Sequence, residues 1–238
     1  MSFQNENPSL SKRLLSDLAL PLRVSMLALA VSWAWLVPAS ASDEDSLETI
    51  RAELSTVCRH KKPVEGRFKK TQMHVRVPDV TLIDSHGKPI DLASLIEDSS
   101  TVLQFIFTTC TTICPVLTVS VQKVREQLAR LDPTLRFVSI SIDPEQDTPR
   151  RLRAYAKRFG ATGRWTFLTG DRHDIMHVLK AFGAYYPGNN KMYHKPYTYL
   201  KVGKSGRWER VDGLMGSSEF IAEYRRLMQR AAVADAGR

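Results

Sequence analysis

Apolar positions along the chain change period at one place, and that place organises the rest. Thr101 to Leu117 reads TVLQFIFTTCTTICPVL. Val102, Leu103, Phe105, Ile106 and Phe107 form an apolar, β-branched and aromatic run with the length and composition of a buried strand. From Cys114 onward the spacing becomes helical: Val116, Val119, Val121, Val124, Leu128 and Leu131 recur, with Lys123, Arg125, Glu126 and Arg130 between them. Two cysteines, Cys110 and Cys114, therefore fall where a central strand ends and a helix begins.

The pattern on either side predicts more elements of both kinds. Upstream, Val75–Ile83 alternates as a strand, Asp84–Lys88 reads as a turn, and Pro89–Leu92 returns as a short strand. Downstream, Leu135–Ile142 is β-rich and ends in the loop Asp143–Pro149. Thr148 reads as an N-cap with Pro149 at the first helical position, and the helix runs to Phe159 before Gly160 stops it. Trp165–Thr169 is a short strand. Asp171–Phe182 is a helix with Ile175, Val178, Leu179 and Phe182 on one face. Tyr197–Val202 and Trp208–Val211 make a hairpin, and Ser217 or Ser218 caps a last helix carrying Phe220, Ile221, Tyr224 and Leu227. Strands joined by helices, then a hairpin and a final helix, give an α/β fold: a central mixed sheet flanked by helices, thioredoxin-like, with an added N-terminal hairpin. No repeat or low-complexity tract interrupts it.

The N-terminal part has a different character. Val24–Val37 is an uncharged run of 14 residues, preceded by Lys12, Arg13 and Arg23 and followed by Pro38 and the small residues Ala39, Ser40 and Ala41. These are the three parts of a secretory signal, with cleavage after Ala41. An uncleaved anchor is the alternative, although at ~1.5 Å per residue the run spans about 21 Å, short of a ~30 Å hydrocarbon core. Either way the active part is expected outside the cytoplasm, periplasmic or anchored facing the periplasm. The expected organisation is residues 1–41 as signal or anchor, 42–72 as an N-terminal extension with a short helix over Ser46–Val57, 73–231 as the globular domain and 232–238 as a tail.

Composition adds two constraints. With 43% hydrophobic and 25% charged residues among 238, the chain has the make-up of a soluble globular domain that needs no disulfides to build a core. The formal net charge of +9 favours anionic partners. The basic residues are spread without a dense run or a nucleic-acid-binding motif, so an acidic protein or a membrane surface is expected rather than nucleic acid.

The candidate chemistry rests on three side chains. Thiols near a helix N-terminus feel the positive end of the backbone dipoles, which favours thiolate, the form that attacks disulfides and binds metal. Two close cysteines are also compatible with buried small hydrophobes or a structural disulfide. His194, in Lys191–Pro196 just before the Tyr197–Val202 strand, is the third group. In a thioredoxin-like sheet the segment entering that strand sits beside the cysteine loop. Two thiolates and one imidazole suit Cu(I) in a three-coordinate site and hold Cu(II) with an added ligand, whereas zinc would want a fourth group. His173 and His177, four apart on a helix, read as a solvated or partly buried face, and Met192 as a packing residue. Cys58 with His60 reads as a free or partner-linked thiol rather than a metal site.

Taken together, FIFTTCTTICPVL (Phe105–Leu117), SIDPEQDTP (Ser141–Pro149), AYAKRFG after it, WTFLTG (Trp165–Gly170), and His194 followed by Tyr199-Leu200 resemble the SCO/SenC family of thioredoxin-like copper-binding proteins. That family assists assembly of the binuclear copper centre of cytochrome c oxidase. The resemblance covers Val75 to Met228 and lies in the order C-x-x-x-C-P, D-P-x-x-D-T-P, distant histidine. It implies that Cys110, Cys114 and His194 are copper ligands, and that Cys110 and Cys114 also form a reversible disulfide. The chain departs from the pattern beside the histidine: Tyr193 and Lys195 stand where the family commonly has aspartate and a small hydroxyl residue, and Pro196 follows.

Three functions are expected in descending order. The first is a copper metallochaperone passing Cu(I) to thiolates of an acceptor, such as the copper-site subunit of cytochrome c oxidase or another copper or thiol protein. The second is a thiol–disulfide oxidoreductase acting through Cys110 and Cys114 on cysteines of such an acceptor. A peroxidase is third, since no partner set for peroxide activation is evident.

Overall fold

The computed structural model describes residues 68–236. The expected export segment, the Ser46–Val57 helix and the Cys58/His60 pair lie outside them. The described residues form one eight-stranded sheet with helices packed against it.

At the centre is β4 (Thr101–Ile106), in which all six residues are buried. It pairs in parallel with β5 (Arg136–Ser141), which pairs in parallel with β6 (Trp165–Thr169). On its other side β4 meets β7 (Tyr197–Lys201) antiparallel, with Thr101 opposite Lys201 and Gln104 opposite Thr198. The hairpin partner β8 (Arg207–Asp212) follows, and β1 (Lys69–His74) closes that edge. β2 (Thr81–Asp84) and β3 (Pro89–Asp91) form the expected hairpin and extend the sheet beyond β6. The order is β1-β8-β7-β4-β5-β6-β2-β3. Each parallel step needs a helical crossover: α2 (Ile113–Leu131) joins β4 to β5, and α3 (Pro149–Arg158) joins β5 to β6.

The helix boundaries have local causes. Thr148 accepts a hydrogen bond from the Arg151 N–H, with Pro149 opening α3 as expected. At the other end Gly160 adopts φ +61°, and the amides of Gly160 and Ala161 turn back to the carbonyls of Lys157 and Ala156. That is a Schellman closure, which needs a residue tolerant of the left-handed region. Asp171 caps α4 (Arg172–Ala181) through the His173 N–H. A short helix not expected from the sequence, α1 (Leu92–Ile96), is capped by Asp91 through the Ser94 N–H.

Two features differ from expectation. The segment expected as the strand Val75–Ile83 is strand only from Thr81, because Pro78 has no N–H to donate and the Val80 amide turns back to the Pro78 carbonyl. The first strand lies earlier, at Lys69–His74, where the polar sequence KKTQMH suits an exposed sheet edge. Lys70 anchors it by donating to Glu223 of α5 (Ser217–Ala236) at 2.9 Å. At the start of α5, Ser217 is the first helical residue rather than the cap; the Glu219 carboxylate closes the end by accepting the Gly216 N–H at 2.7 Å.

Aromatic packing fixes the sheet's two faces. Phe182, just after α4, stands edge-on to Phe105, Tyr199 and Trp208, with centroids 5.9, 5.2 and 5.0 Å away. On the other face Tyr155 of α3 meets Phe167 at 6.1 Å, and Tyr224 of α5 donates to Asp132 at the end of α2 at 2.8 Å. Edge-to-face geometry places ring hydrogens on neighbouring π faces and adds to the burial energy. The sheet is thus clamped from both sides, which holds the C-terminal end of β4 in place.

Candidate metal and thiol site

Immediately beyond β4, Phe107 remains buried, and the Cys110 N–H turns back to its carbonyl at 3.2 Å. This reversal carries Cys110 out of the strand direction and into the start of α2. Cys110 is 6% exposed, whereas Cys114, in the first turn of α2, is fully enclosed. Both are free thiols. The Cys114 N–H donates to Cys110 Sγ at 3.4 Å, and the Thr112 hydroxyl lies 3.8 Å from the same sulfur. Pro115 follows, where a first-turn residue needs no N–H for the helix ladder.

The two thiols are electrostatically unequal. Burial alone pushes the Cys110 thiol up, but hydrogen bonds from Cys114 and Thr112 outweigh it and hold the thiol below its ordinary range. Cys114 goes the other way. Burial raises it strongly, and the neighbouring Cys110 and Asp147 charges add to the rise. Of the pair, Cys110 is the thiol more easily deprotonated, and Cys114 holds its proton the more tightly.

Behind the thiols lies a group that sequence reasoning treated only as loop. Asp147 is fully buried and its carboxylate accepts three hydrogen bonds: the Thr108 N–H at 3.0 Å, the Thr108 hydroxyl at 2.5 Å and the Ser141 hydroxyl at 2.6 Å. Ser141 in turn accepts the Asp143 N–H at 3.0 Å. The carboxylate thus ties the turn before Cys110 to the end of β5. Two aspartates flanking a Pro-containing turn, with a serine at the preceding strand end, were the available sequence signal. The partner Thr108 lies 39 residues away, and no local pattern names it.

His194 ends a single 3₁₀ turn, Lys191–Tyr193, just before β7. It is 7% exposed, and both ring nitrogens are buried without a hydrogen-bond partner among the described residues. Burial pushes its pKa down to about 4, so the imidazole is neutral near pH 7 and its basic nitrogen keeps its lone pair. The segment is tied toward the thiol loop one turn earlier: Lys191 forms an ion pair with Asp143 and lies 5.3 Å from the Phe107 ring centroid.

The structure brings Cys110 and Cys114 together, but His194 does not join them in a three-donor cluster. Among the described residues no three His, Cys, Asp or Glu side chains are grouped closely enough to hold a metal ion. The His173 and His177 rings lie 4.1 Å apart between centroids, tilted by 49°, on the exposed face of α4, as a solvated pair. Met192, expected to pack, is 66% exposed, because the 3₁₀ turn presents it outward. The donor set nonetheless suits copper chemically. It offers one thiol lowered toward thiolate, a second beside it, and an imidazole with no internal partner.

Comparisons with known proteins agree with this architecture. The SCO1/SenC family matches residues 69–229. The SCO1 protein homolog of Bacillus subtilis is 31% identical over 148 residues, 60% of this chain and 76% of that protein. A solved structure of BsSco, described as a member of the Sco family of cytochrome c oxidase assembly proteins with a disulfide switch, is 28% identical with a TM-score of 0.56, covering 67% of this chain and 96% of that one. Copper-bound ScoI from Bradyrhizobium japonicum is 25% identical with a TM-score of 0.51, over 62% and 96% of the two chains. On the family match over most of the described domain, the chain belongs to the SCO1/SenC family.

Proposed function

We propose that the chain is an extracytoplasmic copper-binding protein that carries Cu(I) as cargo on Cys110, Cys114 and His194 and assists copper-site assembly in cytochrome c oxidase. The observation that carries this reading is the buried imidazole of His194, neutral and without a partner for either nitrogen, on a segment whose Lys191 pairs with Asp143 and lies over Phe107, where the thiol turn begins. Leaving a buried donor or acceptor unpaired costs on the order of 1–3 kcal/mol, a penalty that a bound metal would remove. Relatives point the same way, since BsSco is described as an oxidase assembly protein and the Bradyrhizobium ScoI structure contains copper. Transfer would proceed by ligand exchange: acceptor thiolates replace Cys110, Cys114 and His194 in turn, with the cationic surface favouring an acidic acceptor. The N-terminal apolar run supports export, with membrane attachment if it is retained.

A second reading has its own observation. The inequality of the thiols suits a thiol–disulfide oxidoreductase. The Cys110 thiolate would attack an acceptor disulfide and release one acceptor thiolate. Cys114, deprotonated during resolution, would then displace the second. The acceptor disulfide gains two electrons as Cys110 and Cys114 become the disulfide.

Copper stoichiometry and affinity of the reduced protein, wild type and His194→Ala together, separate the readings. One tightly held copper per chain, lost in the variant while thiol exchange persists, is the expected result. No specific copper in the reduced wild type would transfer the assignment to the redox enzyme, and full copper affinity in His194→Ala would remove His194 from the ligand set.

A further inference from the structure

At the opposite end of β4 from the thiols lies a second concentration of unusual polar chemistry. Lys201 pairs with Thr101, the first residue of β4, and is only 2% exposed. A lysine is almost never so enclosed without a counter-charge. Among the described residues no carboxylate comes within ion-pair distance of Lys201 Nζ. The ammonium donates to the Glu97 carbonyl at 2.6 Å and lies 5.7 Å from the Trp208 ring centroid. One carbonyl and one aromatic face leave much of a three-donor cation without a partner.

Trp208, 2% exposed, supplies the second observation: its indole N–H is buried with no acceptor among the described residues. Both residues line the same cavity of about 250 Å³, together with Val75, Val77, Glu97, Asp98 and Lys204. Lys204 and Asp98 pair at 3.4 Å, and their side chains are 75% and 80% exposed, so these two lining groups reach into solvent. Glu97 and Asp98 also line the cavity, but Asp98 pairs with Lys204 and neither carboxylate pairs with Lys201. What the Lys201 ammonium and the Trp208 indole N–H lack is a negatively charged acceptor of their own.

We propose that this cavity is a binding site for a small carboxylate mono-anion, its oxygens accepting from Lys201 Nζ and Trp208 Nε1. The Glu97 and Asp98 carboxylates in the same lining repel a dianion about twice as strongly as a mono-anion, which selects for a single negative charge. The rest of the wall, Val75 and Val77, leaves room for a short apolar substituent. Burial pushes the pKa of Lys201 down to about 8, against the pull of Glu97 and Asp98, the behaviour of a cation without a close counter-ion. A neighbouring carboxylate would reverse that depression. The site shares no residue with Cys110, Cys114 or His194 and does not depend on the copper reading.

Acetate and inorganic phosphate, titrated into the full reduced protein at matched ionic strength, test it by calorimetry and by mass-spectrometric mapping of amine labelling at pH 8. Expected are saturable binding of one acetate per chain, protection of Lys201 from the amine reagent by acetate, and phosphate at least tenfold weaker. Lys201→Met keeps the apolar stem and should weaken acetate at least tenfold. Trp208→Phe keeps a ring and should weaken it severalfold. Absence of saturable acetate binding, unchanged Lys201 labelling, or equal affinity in Lys201→Met would overturn the assignment. Phosphate binding as tightly as acetate would overturn its mono-anion selectivity. The labelling readout uses wild-type protein, so the proposal stays testable even if a variant fails to fold.

Discussion

Asp147 and the His194 imidazole are both buried beside the end of β4, and the fold treats them in opposite ways. The carboxylate of Asp147 receives three donors from two segments and serves as the fixed point of the thiol turn. The imidazole receives none at either nitrogen, and its segment is held by an ion pair three residues upstream. A buried polar group that is fully partnered makes one geometry unique; one left unpartnered is a standing cost. On the proposed three-ligand reading, the difference teaches that the thiol half of the site is built in advance, whereas the imidazole half is supplied with a donor and no internal use for it.

The largest effect should come from breaking the prebuilt half. Cys110→Ser and Cys114→Ser should each lower Cu(I) affinity by at least a hundredfold, because a hydroxyl replaces a soft thiolate donor. The two differ in another readout. In wild type, alkylation at neutral pH should modify Cys110 first, since its thiol is lowered while Cys114 is enclosed and raised. Peptide mapping that found Cys114 modified first would reverse the assigned roles.

Removing the anchor comes next. Asp147→Ala leaves Thr108 and Ser141 without their acceptor and opens space beneath the thiol turn. Loss of a charged partner from a buried network predicts about 3 kcal/mol lower stability by denaturant unfolding. Asp147→Asn retains an acceptor oxygen and should cost less. If Asp147→Ala matched wild type in stability, the carboxylate would not be the fixed point claimed for it.

These residues mark what could and could not be read along the chain. The strand-to-helix switch at Cys110 and Cys114, the Thr148-Pro149 cap and the Gly160 stop are local signals, and each appears where the pattern placed it. β1 escaped because KKTQMH buries neither face strongly; what makes it a strand is pairing with β8 and the Lys70–Glu223 contact, both far away in sequence. Asp147 was legible as a loop residue, but its role belongs to Thr108, 39 residues earlier. Lys201 had no signal along the chain: it is buried at the end of β7, lining one cavity with Val75, Val77 and Trp208. Local chemistry fixes element ends, while the partners of buried polar groups are decided by topology.

The unpartnered imidazole yields a pH dependence with a definite sign. Its pKa falls from 6.5 to about 4 on folding, so between those values the unfolded chain binds more protons than the folded one. Metal-free stability therefore rises with pH through this window, and its His194 contribution is lost as pH drops from about 6.5 to about 4. The full depression corresponds to on the order of 3 kcal/mol. His194→Gln removes the titration. Denaturant unfolding at pH 7 and pH 4.5 should show wild type losing more than the variant; equal losses would mean that the ring is solvated or partnered.

The smallest predicted effect concerns how the two halves are held near each other. Lys191 reaches Asp143 on the loop after β5 and lies over Phe107 at the end of β4, so it links the His194 segment to both strands that frame the thiol turn. Its side chain is 32% exposed, so solvent screens the pair and the link is worth about 1 kcal/mol or less. Lys191→Ala should therefore leave folding stability nearly unchanged while weakening Cu(I) affinity by about threefold, through added freedom of the His194 segment rather than loss of a ligand. Lys191→Arg, which keeps the charge, should recover most of that affinity, and the effect should shrink at high salt as screening weakens the wild-type pair. If His194→Ala weakens copper binding but Lys191→Ala does not, the imidazole reaches the thiols without help from this link, and backbone packing alone sets its position.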